Sequence, residues 1–460
     1  MRELAELLKK DEQVMFHEML FQWGELAAKN QILSDYYNGK IATKNLGIAI
    51  PPKLADKLKN CGMQWCKQAV KRVADISIIE GFNFAGDSPD GFLEAMSENE
   101  FIDQYDETVP SQLQHGPSFW TVTAGDTKKG EPPFIIASYD ALHATALYDY
   151  RHRRVLCGLT IVDVDVENPM TPTAVNFYAP SGDIVEMYQG KDGWVGKRIK
   201  TNMGRCLMEV MRHDPDKQHP FGNTAITPSI LTLEEQANAA FVRLVCTSEY
   251  AASLQKYILG ADDDIFEGDR WKAHINSIIA LPSIDQDGEN LPQIGQFPQV
   301  DTEPQIKTIR EMASLFAAEA SIPIHSLLYT EANPASAEAI EASRYDLVQK
   351  ALKLNRLNSH SIRNIALMAL SIMQQKPMNE LDETAKSFGV QWRNPLICSL
   401  AGSADATTKI SAEVPGFAGT KTYWQMLGFD ERQAKIIQSE VEDNLDDTSD
   451  PSQVSVGFTS

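Results

Sequence analysis

The chain has 460 residues, with 42 Lys+Arg against 63 Asp+Glu and a formal charge of −21. That length exceeds what one growing core supports, so two to four structural units are expected. The acidity excludes a general phosphate-gripping protein, because counterion release favours a basic balance, yet it suits a body that a polyanion passes without sticking.

Residues 1–80 carry Leu7, Leu8, Phe16, Met19, Leu20 and Trp23 at helical spacing. Asp35-Tyr36-Tyr37-Asn38-Gly39-Lys40 interrupts them with turn chemistry, and a further helix is expected over 64–79, leading to Glu80-Gly81-Phe82. Between 119 and 200 the composition turns β-branched and aromatic. Phe119–Thr123, Val155–Val166, Val175–Tyr178 and Ile184–Tyr188 read as strands, with Ser181-Gly182-Asp183 and Lys191-Asp192-Gly193 as turns. This part is mixed α+β.

The stretch 232–259 returns to helix, with Leu233, Ala237, Ala240, Leu244 and Ile258 as its stripe and Glu234 and Glu235 in the first turn, where carboxylates suit the dipole. It would span roughly 40 Å, and Gly260 ends it. Residues 261–301 hold nine acidic residues against Arg270 and Lys272, among them Asp262-Asp263-Asp264, Asp285 and Asp287. Turn residues and short apolar runs make this a small β-containing insert between helices. A helix over 302–321 follows, then a long one from Pro334 to about Met373, roughly 60 Å if unbroken. Asn333 can cap its free N–H groups, and Pro334 fits the first helical position. Ala404–Asp443 reads as short helices, and the tail from Asp446 as disordered.

Chemistry is sparse. Gly190–Lys197 lacks the spacing of a phosphate-binding loop, Ser118 and Ser181 have no nucleophile-elbow context, and the histidines form no HExxH pair. Asp262–Asp264 lacks the glycine and final glutamate of a calcium loop and reads as a solvated turn. Asp163, Asp165 and Glu167 alternate on an expected strand and could hold a divalent cation, although a solvated face is the preferred reading. Arg151-His152-Arg153-Arg154, with Lys128, Lys129, Lys197 and Arg198, offers phosphate contacts or an intersubunit salt-bridge face. Lys350, Lys353, Arg356 and Arg363 lie near one face of the long helix and read as its wet side. Of the six cysteines only Cys61 and Cys66 are near neighbours, which makes no zinc site; buried, reduced thiols are expected. No run of about 18 apolar residues suggests a membrane span. No cofactor, metal or catalytic residue is assigned.

The order of these features resembles the portal proteins of tailed double-stranded-DNA bacteriophages, of the siphophage type. The resemblance rests on the aromatic turn at Asp35–Gly39, Trp65 with Glu80-Gly81-Phe82, and His219-Pro220-Phe221-Gly222-Asn223-Thr224-Ala225-Ile226-Thr227-Pro228. It continues through Tyr257-Ile258-Leu259-Gly260, Gly295-Gln296-Phe297, Ile322-Pro323, and Asn333-Pro334 with Ser336–Ile340. It covers residues 30 to about 345 and is looser beyond, where Gly416–Gly428 departs furthest.

The resemblance implies an α+β portal-type fold. Residues 1–231 and 322–400 would build most of a wing, with 232–259 and 302–321 as two stem helices and 260–301 as the clip between them. The stretch 322–400 would include the tunnel loop and the long wing helix, 401–445 a short helical crown, and 446–460 the tail. It further implies a ring of twelve copies at one capsid vertex, assembled in the host cytoplasm and carried in the virion. That ring would conduct double-stranded DNA and bind the terminase large subunit, a head-completion adaptor, and the major capsid and scaffolding proteins. Tyr329, Thr330, Glu331 and Asn333 would meet DNA in the tunnel loop. Asp262, Asp263, Asp264, Trp271, Asp285 and Asp287 would dock terminase or adaptor, and Lys307, Arg310 and Glu311 would line the stem channel. The competing readings are a metal-dependent nucleic-acid-processing α+β enzyme using Asp163, Asp165 and Glu167, and a head-completion adaptor.

Overall fold

The computed structural model describes residues 7–40, 62–169, 171–191, 193–201, 203–252, 256–259, 293–296, 301–327, 337–395 and 400–429, with 433, 434, 436, 437 and 439. Helix α1 spans Lys10–Tyr37. Its first turn is closed by Glu12, whose Oε2 accepts the Lys9 N–H at 2.9 Å. The chain leaves it at Gly39, which takes φ +66°. Helix α2 covers Trp65–Ala74, shorter than the expected 64–79. The β-branched run beyond it forms β1, Ile79–Asn83, so Glu80-Gly81-Phe82 is strand. Helices α3, Phe92–Glu98, and α4, Phe101–His115, follow.

A β-rich block comes next: β2 (Pro117–Ala124), β3 (Phe134–Tyr139), β4 (Ala144–Asp149), β5 (Arg154–Val164), β6 (Pro172–Tyr178), β7 (Ile184–Gly190), β8 (Gly193–Ile199) and β9 (Met208–Arg212). All four expected strands are present. Four more join them, including β8, whose glycines and charges hide its period. Strands β4 to β8 form an antiparallel meander in sequence order, and β3, β2 and β9 form a second sheet with β2 in the centre.

These pieces stack in layers. Phe16, Met19, Trp23 and Ala27 of α1 bury themselves against Cys157, Leu159, Ile161, Val175, Phe177, Val185 and Met187 on the outer face of the meander. Phe16 meets Phe177 edge-on at 6.2 Å and Trp194 at 5.9 Å. The fully buried Phe16 and Phe177 rings each stabilise the fold by about 2–3 kcal/mol. The inner face of the meander meets the three-stranded sheet so closely that a Cβ on Gly158 would lie 2.2 Å from the Met208 sulfur. Beyond that sheet lies α4, where Phe101 packs on Trp120 at 5.0 Å.

Helix α5 runs Pro228–Ala252, and two short strands, β10 (Lys256–Leu259) and β11 (Gln293–Gln296), pair with each other. Helix α6 spans Glu303–Ala320, and the long α7 spans Ala337–Gln374. Strand β12, Gly389–Trp392, returns to pair antiparallel with β1, tying the two ends of the wing region together. Helices α8, Leu400–Glu413, and α9, Lys421–Met426, complete the described chain.

Helix α7 lies across the far face of the three-stranded sheet, where Ser361 Oγ donates to the Val210 carbonyl at 2.8 Å. A buried amide network fixes it against α4. Asn358 Nδ2 donates to Gln112 Oε1 and to the Tyr105 hydroxyl, both at 3.0 Å, and Gln112 Nε2 donates back to Asn358 Oδ1 at 2.9 Å. Ser77 Oγ donates to Asn355 Oδ1 at 2.6 Å. The paired Asn358 and Gln112 amides set a single axial position for a helix that apolar packing alone would let slide.

Cys66, Cys157, Cys206 and Cys246 are free and buried, as expected for reduced thiols. Cys61, Cys398 and the tail from Asp446 lie outside the described residues. Among those residues no helix is long and apolar enough to cross a membrane.

Candidate stem, channel and docking surfaces

The stem begins four residues before the expected Thr232. Thr227 is the cap, its Oγ1 accepting the Ile230 N–H at 3.3 Å, and Pro228 takes the first helical position. The helix is described to Ala252, and Tyr257-Ile258-Leu259, expected as its last turn, is strand instead. Its β-branched and aromatic character wins over the extrapolated helical stripe. In the β10–β11 ladder Lys256 faces Gln296 and Leu259 faces Gln293, so the two ends of the insert are joined side by side.

Helix α6 returns antiparallel to α5. Gln305 Nε2 donates to Thr247 Oγ1 at 3.1 Å, placing the start of one helix beside the far end of the other. At its opposite end Phe316 packs on Trp65 at 5.4 Å, inside the core of the wing region. Helix α6 stops at Ser321, which takes φ +53°, ahead of Ile322-Pro323.

The residues expected to line a channel are exposed. Lys307 and Glu311 stand opposite the buried face of Ile309, Ala313 and Phe316, and Arg310 lies to one side. Lys307 Nζ pairs with Glu303 at 3.0 Å, with both side chains about two-thirds in solvent. Such a pair contributes under about 1 kcal/mol and leaves the stripe free to face a lumen.

Near its start, α5 caps another helix. Helix α2 has no side-chain cap of its own. Instead the Cys66 N–H donates to Glu234 Oε2 at 2.7 Å and the Met63 N–H donates to Asn238 Oδ1 at 2.6 Å. The Tyr36 hydroxyl donates to the Glu235 carboxylate. Glu234 is buried, and that burial pushes its carboxyl up to about 7 despite the N–H donors. Burial, with Glu234 beside it, also raises the Cys66 thiol. These two glutamates sit in the second turn of α5, and nothing in their own helix signals the cross-helix role.

The four cations expected along the wet side of α7 do not act as one face. Lys350 Nζ donates to the Ala320 carbonyl at 2.8 Å, holding the C-terminus of α6. Lys353 pairs with Asp214, and Arg363 Nη2 donates to the Lys386 carbonyl at 2.5 Å. Arg356 is exposed. Lys350 therefore ties α6 to α7 across the connection expected to hold the tunnel loop. Tyr329, Thr330, Glu331, Asn333 and Pro334 lie outside the described residues, as do Asp262, Asp263, Asp264, Trp271, Asp285 and Asp287.

The carboxylate trio does not alternate on one strand. Strand β5 ends at Val164 after register irregularities around Asp163. Asp165 Oδ1 accepts the Glu167 N–H at 2.7 Å and the Asn168 N–H at 3.3 Å, closing a turn. Among the described residues no group of three or more His, Cys, Asp or Glu side chains could hold a metal ion. The basic run at Arg151–Arg154 forms the β4–β5 turn, with Asp149 accepting the Arg151 N–H at 3.0 Å. Arg198 is committed inward, to Glu12 and Asp183 at 2.7 Å each.

Residues 22–448 match the family described as phage portal protein, SPP1 Gp6-like. The chain belongs to this phage portal family. Its relatives include the portal protein of Mycobacterium phage L5, 20% identical over 416 residues, covering 87% of this chain and 82% of that one. The portal protein of Mycobacterium phage D29 is 20% identical over 398 residues, covering 82% and 78%. Among solved structures, a chain in the neck of a native GTA particle computed with C12 symmetry is 12% identical, with a TM-score of 0.44 over 85% of this chain and 98% of that one. Family membership makes the chain a portal subunit, a component of the phage particle that forms a ring at the capsid vertex.

Proposed function

We propose that this portal assembles as a twelve-subunit ring through which double-stranded DNA enters the capsid during packaging and leaves during ejection. The observation that carries this reading is the α5–α6 hairpin closed by the β10–β11 ladder, set on a layered wing. Around an axis, such hairpins make a tube with the insert at its rim. Residues 260–301 are then the clip that meets the terminase large subunit during packaging and a head-completion adaptor afterwards, with Asp262–Asp264, Trp271, Asp285 and Asp287 as contacts. The tunnel loop lies near Leu327–Ala335, residues 401–445 make a short crown inside the head, and the major capsid and scaffolding proteins surround the wing.

Each copy carries −21 charges. A lining of that sign repels DNA, and cellular salt limits the repulsion to about 8–10 Å, enough to prevent adhesion without blocking passage. The portal works as a conduit and docking body, with ATP hydrolysis in the terminase partner. The test is to replace residues 260–292 by a short turn that preserves the ladder. Purified variant rings should keep their thermal stability and lose capture of terminase, and phage carrying the change should yield DNA-free heads. Unchanged terminase capture would overturn the clip assignment.

A further inference from the structure

Two helices of the layered body leave apolar side chains in water on opposite sides of it. On α1, Val14, Phe21 and Ile32 are exposed to 67%, 71% and 51%, although the other face of the same helix is fully buried. Glu18 and Glu25 stand between them, so apolar and acidic residues share one stripe at spacings of three, four and seven. On α7, Tyr345 and Leu352 are exposed to 59% and 38%, and the same stripe continues through Arg356 and Arg363. The two stripes therefore have matched seven-residue spacing and opposite charge. Glu18, Glu25 and Arg356 have no ion-pair partner among the described residues.

Position adds the third element. From Phe16 to Ala27 helix α1 covers the outer face of the five-stranded meander, and α7 lies beyond the three-stranded sheet, so both sheets separate this part of α1 from α7. The stripes face away from each other and cannot meet within one copy. A ring that closes by rotation needs a heterologous contact of this kind, in which one side of each subunit meets the opposite side of the next.

We infer that the α1 stripe of one subunit packs on the α7 stripe of its neighbour, with Glu18 and Glu25, seven residues apart, facing Arg356 and Arg363, also seven residues apart, and the exposed apolar side chains of both stripes alongside them. The occupant of each face is thus a second copy of this chain. This contact rests on the ring reading above and adds the surface through which the wings join. It also links neighbours through α7, the helix whose Lys350 holds the last turn of the stem.

The test is charge reversal with rescue, read by mass photometry and negative-stain imaging at equal subunit concentration. Glu18→Arg with Glu25→Arg should abolish rings, and so should Arg356→Glu with Arg363→Glu, because like charges then meet at every junction. All four changes in one chain should restore rings. Circular dichroism and thermal melts of each variant separate misfolding from lost assembly. Rings persisting in both double variants would overturn this contact while leaving the ring reading in place. A folded quadruple variant that stays unassembled would also overturn it. A parent chain that forms no rings would remove the ring reading, and this contact with it.

Discussion

Glu234 is a buried carboxyl placed where α5 caps the N-terminus of α2. Its ordinary value is 4.5, and burial raises it to about 7. Below about pH 4.5 both folded and unfolded chains hold the proton and its full contribution to stability is present. As pH rises towards 7 the unfolded chain ionises first, so stability falls, by about 3 kcal/mol at most. Glu234→Gln keeps an acceptor for the Cys66 N–H and removes that titration. Its melting temperature should fall less between pH 5 and pH 8 than the parent's, and an identical pH slope would contradict the assignment. Asn358 tests the amide network under α7. Asn358→Ala strands the Gln112 amide in the core and leaves the Tyr105 hydroxyl with Ser77 alone, and should cost about 1–3 kcal/mol in chemical denaturation. The sequence shows that both residues lie in helices. It does not show their partners, because Gln112 and Asn358 are brought together only by the packed fold.

At the scale of elements, what is legible is what repeats along the chain. The α6 stripe and the strands β5, β6 and β7 announce themselves by period, and Asp35–Gly39 announces the end of α1 through glycine's positive φ. Boundaries fail where two signals compete. Thr227-Pro228 carries the same cap-and-proline logic as Asn333-Pro334, and it starts α5 earlier than the charges at Glu234 and Glu235 suggest. Tyr257–Leu259 keeps an apolar stripe in phase with α5 and is strand, because Gln293–Gln296 offers it a ladder. That ladder is a long-range fact with no local mark. Arg198 adds a polar tie to the apolar join between α1 and the meander. Burial alone would raise the Glu12 carboxyl, but the Arg198 guanidinium and the Lys9 N–H hold it below its ordinary value. Arg198→Ala leaves two carboxylates partly buried without a counter-charge and should destabilise the fold by about 2–3 kcal/mol, measured by urea unfolding. Gly158→Val should also destabilise, by about 1–3 kcal/mol, by driving a side chain into Met208 between the sheets.

At the scale of the molecule, the candidate site divides by how much of it depends on other copies. Lys307, Arg310 and Glu311 are exposed on α6, and whether they line a channel is decided by the other copies of a ring. The metal-site reading of Asp163, Asp165 and Glu167 fails because a strand's alternation stops when the strand ends, at Val164. A conduit of this charge should not hold its cargo. Purified assemblies mixed with linear duplex DNA at about 150 mM salt should show no retention in a gel-shift assay. The central claim is that paired rods with a joined tip close around a lumen. Class-averaged electron micrographs of the purified chain, viewed along the symmetry axis, test it most directly: the expected image is a closed ring with an open centre, and solid particles or lone subunits at every concentration would contradict it.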